Sequence, residues 1–190
     1  MKLFVVLGLG QFGRHTAMAL RTGGGDVLAI DSDEKRVDAI KDQVSQAICM
    51  DATDIDGLRA VGVHKADTAV CALGEEDLEA SILACAALSD LGVGRIIVRA
   101  GTSLQGRILT RVGATRVVFP EQAMGEQIGR SLLLSGVLEQ VTLSTGQTVA
   151  HIRPHEHLIG KTLQECNLRA QYGVIVIGMH RSGTTLLTDM

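Results

Sequence analysis

The chain has 190 residues, 46% of them apolar and 21% charged, with a net charge of −3 at pH 7. That length allows one ordinary domain plus a small second one, and the apolar share supports a packed core rather than extended disorder. The negative balance gives no field for nucleic acid, and aromatic residues at 2% offer almost nothing for bases to stack on. No apolar stretch reaches the roughly 18–20 uncharged residues of a membrane span. The chain reads as a strand from its second residue, so no signal peptide is expected.

Leu3-Phe4-Val5-Val6-Leu7 is a short apolar run that ends in Gly8-Leu9-Gly10-Gln11-Phe12-Gly13. A second run, Val27-Leu28-Ala29-Ile30, ends in Asp31. A GxGxxG alone is weak, but strand, glycine turn, helix, strand and terminal carboxylate in that order give it force. The first glycine allows the tight turn, the second lets backbone approach a pyrophosphate, and the third lets the helix pack close on the strand. The free N–H groups at the helix start suit a phosphate. Asp31 stands eighteen positions after Gly13, where a carboxylate accepts hydrogen bonds from ribose hydroxyls. The expected ligand is an adenine nucleotide.

Further strands are predicted at 46–49, 67–72, 95–99 and 116–119, beside the first two at 2–7 and 26–30. Apolar spacings of three and four mark helices between them, at Val37, Ile40 and Val44, at Ile55, Leu58 and Val61, at Leu78, Ile82 and Cys85, and at Leu104, Ile108 and Val112. Near-continuous apolar strands suit a parallel sheet covered on both faces. The predicted class is α/β, a Rossmann-like doubly wound parallel sheet of six strands over residues 1–119. A crossover and dimerisation segment is assigned to 120–136, with Glu121 to Leu134 as its helix. That helix carries more apolar surface than one sheet face needs, so it either crosses to a second subunit or caps its own sheet.

After Gly136 the texture changes. Val137 to Ser144 and Gln147 to Arg153 read as a hairpin around Thr145-Gly146, Thr162 to Cys166 as a short helix, and Val174 to Met179 with Thr185 to Thr188 as a second hairpin. Residues 137–190 are expected to form a small, incomplete α+β lobe, and lobes of this size rarely hold together without a partner. Cys49, Cys71, Cys85 and Cys166 are scattered without a CxxC pair and read as reduced core thiols.

The sequence resembles the KTN/RCK proteins, the cytosolic nucleotide-binding subunits that regulate bacterial potassium channels and transporters of the Trk and Ktr systems. The phrases that carry the likeness are Gly8 to Gly13, Asp31-Ser32-Asp33, Asp51-Ala52-Thr53, Ala72-Leu73-Gly74, Val98-Arg99-Ala100, Gly113-Ala114 and Phe119-Pro120-Glu121. Leu158-Ile159-Gly160-Lys161-Thr162-Leu163 is similar to the start of the family's C-terminal lobe, which usually continues further than Met190. The lobe is therefore expected to be either cut short in this sequence or naturally shortened. The resemblance implies a homodimer, dimers stacked into an octameric ring, a membrane potassium transporter or channel subunit as partner, and a cytoplasmic place at the inner face of the membrane.

The nucleotide site implied takes in Gly8, Leu9, Gly10, Gln11, Phe12 and Gly13, then Asp31, Ser32, Asp33 and Arg36, then Asp51, Ala52, Thr53, Ala72, Leu73, Gly74, Arg99 and Glu121. Several fall at strand ends, where ligands of open parallel sheets sit. Asp31 would grip the ribose, and Asp33 would touch the same sugar or cap the next helix. Asp51 and Thr53 would border the adenine or cap a helix. Ala72 to Gly74 would bring backbone close to the ligand, unless Gly74 only turns the chain. Arg99 would neutralise phosphates or stand solvated. Glu121 would help hold a divalent cation beside the phosphates, or serve as a first-turn helix residue. Many family members carry arginine after the second glycine. Here Gln11 is neutral, which leaves ADP, ATP, NAD and NADH unranked, whereas Asp31 argues against NADP.

Two signals are set aside. Gly178 to Leu187 looks like the phosphosulfate loop of sulfotransferases, but only five residues follow Thr185, too few for the helix such a loop needs, so a hairpin turn is preferred. His151, His155, His157 and Glu156 could suggest a metal, yet Pro154 interrupts them and no i, i+4 pair exists. The favoured function is non-catalytic regulation, with no catalytic residue assigned. The alternatives are a nicotinamide-dependent dehydrogenase, for which no acid, base or substrate clamp is found, and a nucleotide sensor for a non-potassium partner.

Overall fold

A computed structural model describes residues 2–74, 77–133, 137–143, 145–181 and 184–187, with 137–139, 142 and 184–187 described by their backbone alone. It contains two compact units, Met1–Glu126 and Gln127–Met190.

The first unit runs β1 (Leu3–Leu7), α1 (Gln11–Thr22), β2 (Asp26–Asp31), α2 (Glu34–Asp38), β3 (Gln46–Cys49), α3 (Ile55–Ala60), β4 (Thr68–Cys71), α4 (Leu78–Asp90), β5 (Ile96–Arg99), α5 (Ser103–Val112) and β6 (Arg116–Val118). The six strands form one sheet in the order β3-β2-β1-β4-β5-β6, every pair parallel. This is the doubly wound sheet read from the sequence. The order reverses between β1 and β4, which places a crevice beyond their carboxyl ends.

The apolar strands explain the layers. Val5 and Leu7 of β1 join one core cluster with Leu28, Ile30, Ala69 and Val98, while Val6 joins the other with Val27, Ala29 and Val70. Alternate residues thus feed opposite faces, and each fully buried Val, Leu or Ile contributes about 1.5–3 kcal/mol. Helix starts are set by side chains that accept from the first turn: Asp33 from Lys35 N, Asp54 from Gly57 N and Asp77 from Ala80 N. Thr102 and Gln105 make a reciprocal capping box on α5.

Two local readings change. The spacing of Val37, Ile40 and Val44 predicts one helix, but α2 stops at Asp38, a 3-10 turn follows at Lys41–Gln43, and Val44 is extended. All three side chains are buried nonetheless, so the apolar pattern is satisfied by a helix, a tight turn and a strand lead-in together. Among the cysteines, Cys71, Cys85 and Cys166 are buried, but Cys49 is exposed. It ends β3, the strand at one edge of the sheet.

The helix α6 (Pro120–Leu133) spans the boundary between the units and has no buried residue; Met124, Ile128, Leu132 and Leu133 are each more than half exposed. In the second unit, β7 (Val137–Thr142) and β8 (Thr148–Ile152) form an antiparallel hairpin. A 3-10 turn at Glu156–Leu158 leads to α7 (Leu163–Cys166), capped by Thr162 and Glu165, and α8 (Leu168–Tyr172), which the sequence reading does not contain. The last hairpin pairs β9 (Gly178–Arg181) with β10 (Thr184–Leu187), so its first strand starts at Gly178, later than the apolar run from Val174. Ser182 and Gly183, the expected turn, lie outside the described residues. Cys166 is the one buried residue described in this unit, while Val141, Ile152, Ile159, Ile175 and Ile177 stay exposed. Among the described residues no helix is long and apolar enough to cross a membrane.

Candidate functional site

An open cleft of about 600 Å³ lies over the carboxyl ends of the strands, within the size range of ligand pockets. Its floor is the glycine turn between β1 and α1. Gly8 has φ +89°, and a Cβ there would stand 2.9 Å from the Ala72 carbonyl, so β4 and the turn meet too closely for any other residue. A Cβ on Gly13 would overlap the Gly8 carbonyl oxygen. Gly10 has nothing within 4 Å of its Cβ position and faces the cleft. Gly10 is also the N-cap of α1, with no side chain to cap it and no acid in the first turn. The helix therefore points amide hydrogens and the positive end of its dipole towards the opening.

Asp31, at the tip of β2, is 5% exposed. Its Oδ2 accepts from Leu9 N at 2.6 Å and its Oδ1 from Asp33 N at 2.9 Å, while Arg36 Nη1 stands 3.5 Å from Oδ2. Two amides thus aim the carboxylate of a residue that lines the cleft, and a carboxylate can accept further hydrogen bonds beyond these. Burial costs an ionised carboxylate unless such donors offset it. Ser32 and Arg36 line the same side.

At the end of β3, Asp51 accepts from Thr53 N and Thr53 Oγ1, both at 2.8 Å, and these bonds hold its carboxyl below the usual range. This is an Asx turn rather than a helix cap, because Asp54 is the residue that caps α3. Asp51, Ala52 and Thr53 all border the cleft. Ala72, Leu73 and Gly74 after β4, and Arg99 at the end of β5, complete the set. Arg99 Nη2 also donates to Glu121 Oε1 at 2.7 Å.

Twelve of the eighteen expected residues therefore meet at one cleft: Gly8, Gly10, the trio Asp31, Ser32 and Arg36, the segments 51–53 and 72–74, and Arg99. Six do not line it. Leu9 and Gly13 are buried in the turn, and Phe12 packs against the smaller core cluster. Gln11 is exposed at the first position of α1. Asp33 caps α2 and pairs with Arg36, and Glu121 sits in the first turn of α6. Sequence reasoning missed Asp77, Glu79, Ala80 and Leu83, which form the α4 wall. The signal was the acidic start of that helix directly after Leu73-Gly74, at a strand end of the same kind as the others. In the second unit His155 and His157 face each other with Nδ1 atoms 3.0 Å apart. Among the described residues no three His, Cys, Asp or Glu side chains form a cation-sized group.

The model of the TrkA-N domain matches residues 4–120. The chain is 32% identical over its whole length to Ktr system potassium uptake protein C of Bacillus subtilis, covering 85% of that protein. It is 35% identical to Ktr system potassium uptake protein A of Vibrio alginolyticus, over 95% of this chain and 81% of that one. The fold is similar to the GsuK channel bound to NAD, with a TM-score of 0.65 at 20% identity over 97% of this chain and 34% of that one. At that identity the likeness speaks to the fold alone.

Proposed function

The chain belongs to the TrkA-N domain family, and from that premise we propose that it is a nucleotide-sensing regulatory subunit of a potassium uptake system. The ligand is an adenine nucleotide (ADP or ATP, or NAD or NADH). Its ribose is held by Asp31 and its diphosphate by the amides of Gly10 and the start of α1. The observation that carries this reading is the pairing of a buried, amide-aimed Asp31 with an uncapped helix start across the same cleft. Asp51 and Thr53 border the base, and Arg99 balances phosphate charge. Glu121, paired with Arg99, shares a divalent cation with the phosphates in this reading.

Such a subunit needs no catalysis. Occupancy shifts a conformational equilibrium if the ligand binds one state better than the other, and equal affinity for both would move nothing. The exposed apolar stripe of α6 fits a second copy of the chain, giving a homodimer that stacks into an octameric ring at the cytoplasmic face of a membrane potassium transporter or channel.

Isothermal titration of the purified chain with ADP tests the reading. One site per subunit is expected, and the loaded protein should copurify with a potassium-transport membrane subunit. Absence of heat from ADP, ATP, NAD and NADH alike would refute it.

A further inference from the structure

Two histidines of the second unit converge although their spacing alone gives no reason for it. Residues two apart on a helix do not face each other, yet His155 and His157 bring their Nδ1 atoms to 3.0 Å. The backbone accounts for this. Pro154, with its fixed φ, leads into His155, which is extended at φ −70° and ψ 152° and stands just before the 3-10 turn Glu156–Leu158. Leu158 N donates to the His155 carbonyl at 2.9 Å and Ile159 N to the Glu156 carbonyl at 3.1 Å, so two backbone bonds close the turn that carries the pair. Pro154 thus excludes an i, i+4 pair of histidines but not this one.

Two imidazole nitrogens at that distance share a proton, one ring donating Nδ1–H and the other accepting it. A metal ion can replace that proton when both rings are neutral and each Nδ1 offers its lone pair. The distance says which kind of ion. At a metal–imidazole bond of roughly 2.0–2.1 Å, nitrogens 3.0 Å apart subtend an angle of about 90–97° at the ion. That is the angle between neighbouring ligands of a square-planar or octahedral ion. Tetrahedral zinc would need the nitrogens about 3.3–3.4 Å apart, and a structural zinc site needs four protein ligands. Among the described residues no third His, Cys, Asp or Glu joins the pair, and both histidines are exposed, so water fills the remaining positions. Magnesium and calcium prefer oxygen donors, whereas imidazole suits copper and nickel.

We infer that His155 and His157 chelate a divalent transition metal, copper(II) or nickel(II), through their two Nδ1 atoms. The ion ties the residue before the turn to a residue within it. It therefore clips the connection between β8 and α7, in a unit where Cys166 is the one buried residue described. This site uses none of the cleft residues and does not rest on the nucleotide reading.

The test is calorimetric titration of the full chain, free of any affinity tag, with copper(II) in a glycine buffer that withholds the metal from lone side chains. One tight copper per chain is expected. The second nitrogen binds intramolecularly, so His155→Gln and His157→Gln should each weaken that site by about tenfold or more. Nickel should bind the same site more weakly than copper, and magnesium should not bind there. The electron paramagnetic resonance spectrum of the copper-loaded parent should show coupling to two imidazole nitrogens, and each variant should show one fewer. Both side chains are exposed, so thermal unfolding in EDTA should be unchanged by either substitution. His64→Gln, an exposed histidine of the first unit, should bind copper as the parent does. Copper affinity unchanged in both variants, an equal loss in His64→Gln, or a parent spectrum with a single coupled nitrogen would overturn the site.

Discussion

Arg99, at the end of β5, donates to Glu121, in the first turn of α6, across 2.7 Å. The pair joins a residue that lines the cleft to the helix that leaves the sheet. Arg99 is only 18% exposed and Glu121 57%, so the bond is shielded on one side and screened on the other. Glu121→Gln should change stability by less than about 1 kcal/mol, as exposed ion pairs do. Its effect on binding should depend on cation. In EDTA, loss of the carboxylate leaves Arg99 more available to phosphate, and ADP should bind several-fold more tightly. With magnesium present, loss of a cation ligand should weaken ADP. Calorimetry under both conditions checks this, and a change of the same sign in both would remove Glu121 from the cation's coordination.

Asp31 is asked to do two jobs, and substitution separates them. Asp31→Ala deprives the buried Leu9 amide of its acceptor, which should cost about 1–3 kcal/mol in urea unfolding. It also removes the charged acceptor for the ribose, so ADP affinity should fall about tenfold to a hundredfold. Asp31→Asn can still accept from Leu9 and should recover part of the stability, but less of the binding. An Asp31→Ala chain that binds ADP as well as the parent would take the ribose away from this residue.

The glycines of the turn divide in the same way. In Gly13→Ala the new methyl would overlap the Gly8 carbonyl, so α1 must move off β1. Thermal unfolding should show a loss at or above the ~1–3 kcal/mol usual for overpacking. In Gly10→Ala the methyl meets nothing within 4 Å, so the melting temperature should hardly change. That methyl does project towards the cleft, and ADP titration should show weakened binding in a folded protein. Equal destabilisation by both would contradict this division of roles.

Much of this was legible because the chemistry is local. Apolar runs ending in glycine or aspartate mark strand tips, and parallel winding brings those tips together without any knowledge of side-chain packing. Asp31, Asp51, Gly74 and Arg99 are strand-end residues by sequence, and all four line the cleft. What escaped depends on contacts distant in sequence or on alternatives of equal local merit. Asp33 suits a sugar or a cap equally well by type, and the turn geometry makes it the cap of α2. Asp51 suits a helix cap by type, but Asp54 takes that role three residues later. The α4 wall escapes because Ala80 and Leu83 look like ordinary helix residues until the sheet order sets β4 beside β1 and brings the start of α4 to the same cleft.

Thiol reactivity offers a check on burial. Burial pushes Cys71 up to about 12 and Cys85 up to about 11, so both stay protonated at pH 8 and are sheltered as well. Cys166 is also buried, whereas Cys49 is exposed at the end of β3. An aromatic disulfide reagent should titrate one fast thiol in the native chain and four in denaturant, and Cys49→Ser should abolish the fast phase. A fast phase that survives this change would mean that a second thiol is open.

The assembly prediction rests on α6. A helix of fourteen residues with none buried gains nothing from its apolar side chains in a lone chain, since Leu132 and Leu133 are 80% and 84% exposed. Isolated helices of this length are marginal in water, so burial against something must support it. Met124, Ile128 and Leu132 recur at a spacing of four and share one face, which is the pattern of a helix packing against its own symmetry mate. Ile128→Glu places a charge in the middle of that stripe. Sedimentation velocity should find the parent as a dimer or larger and the variant as a monomer. Nucleotide affinity should stay within about twofold, because Ile128 lies outside the cleft. A variant that sediments like the parent would move the interface off α6.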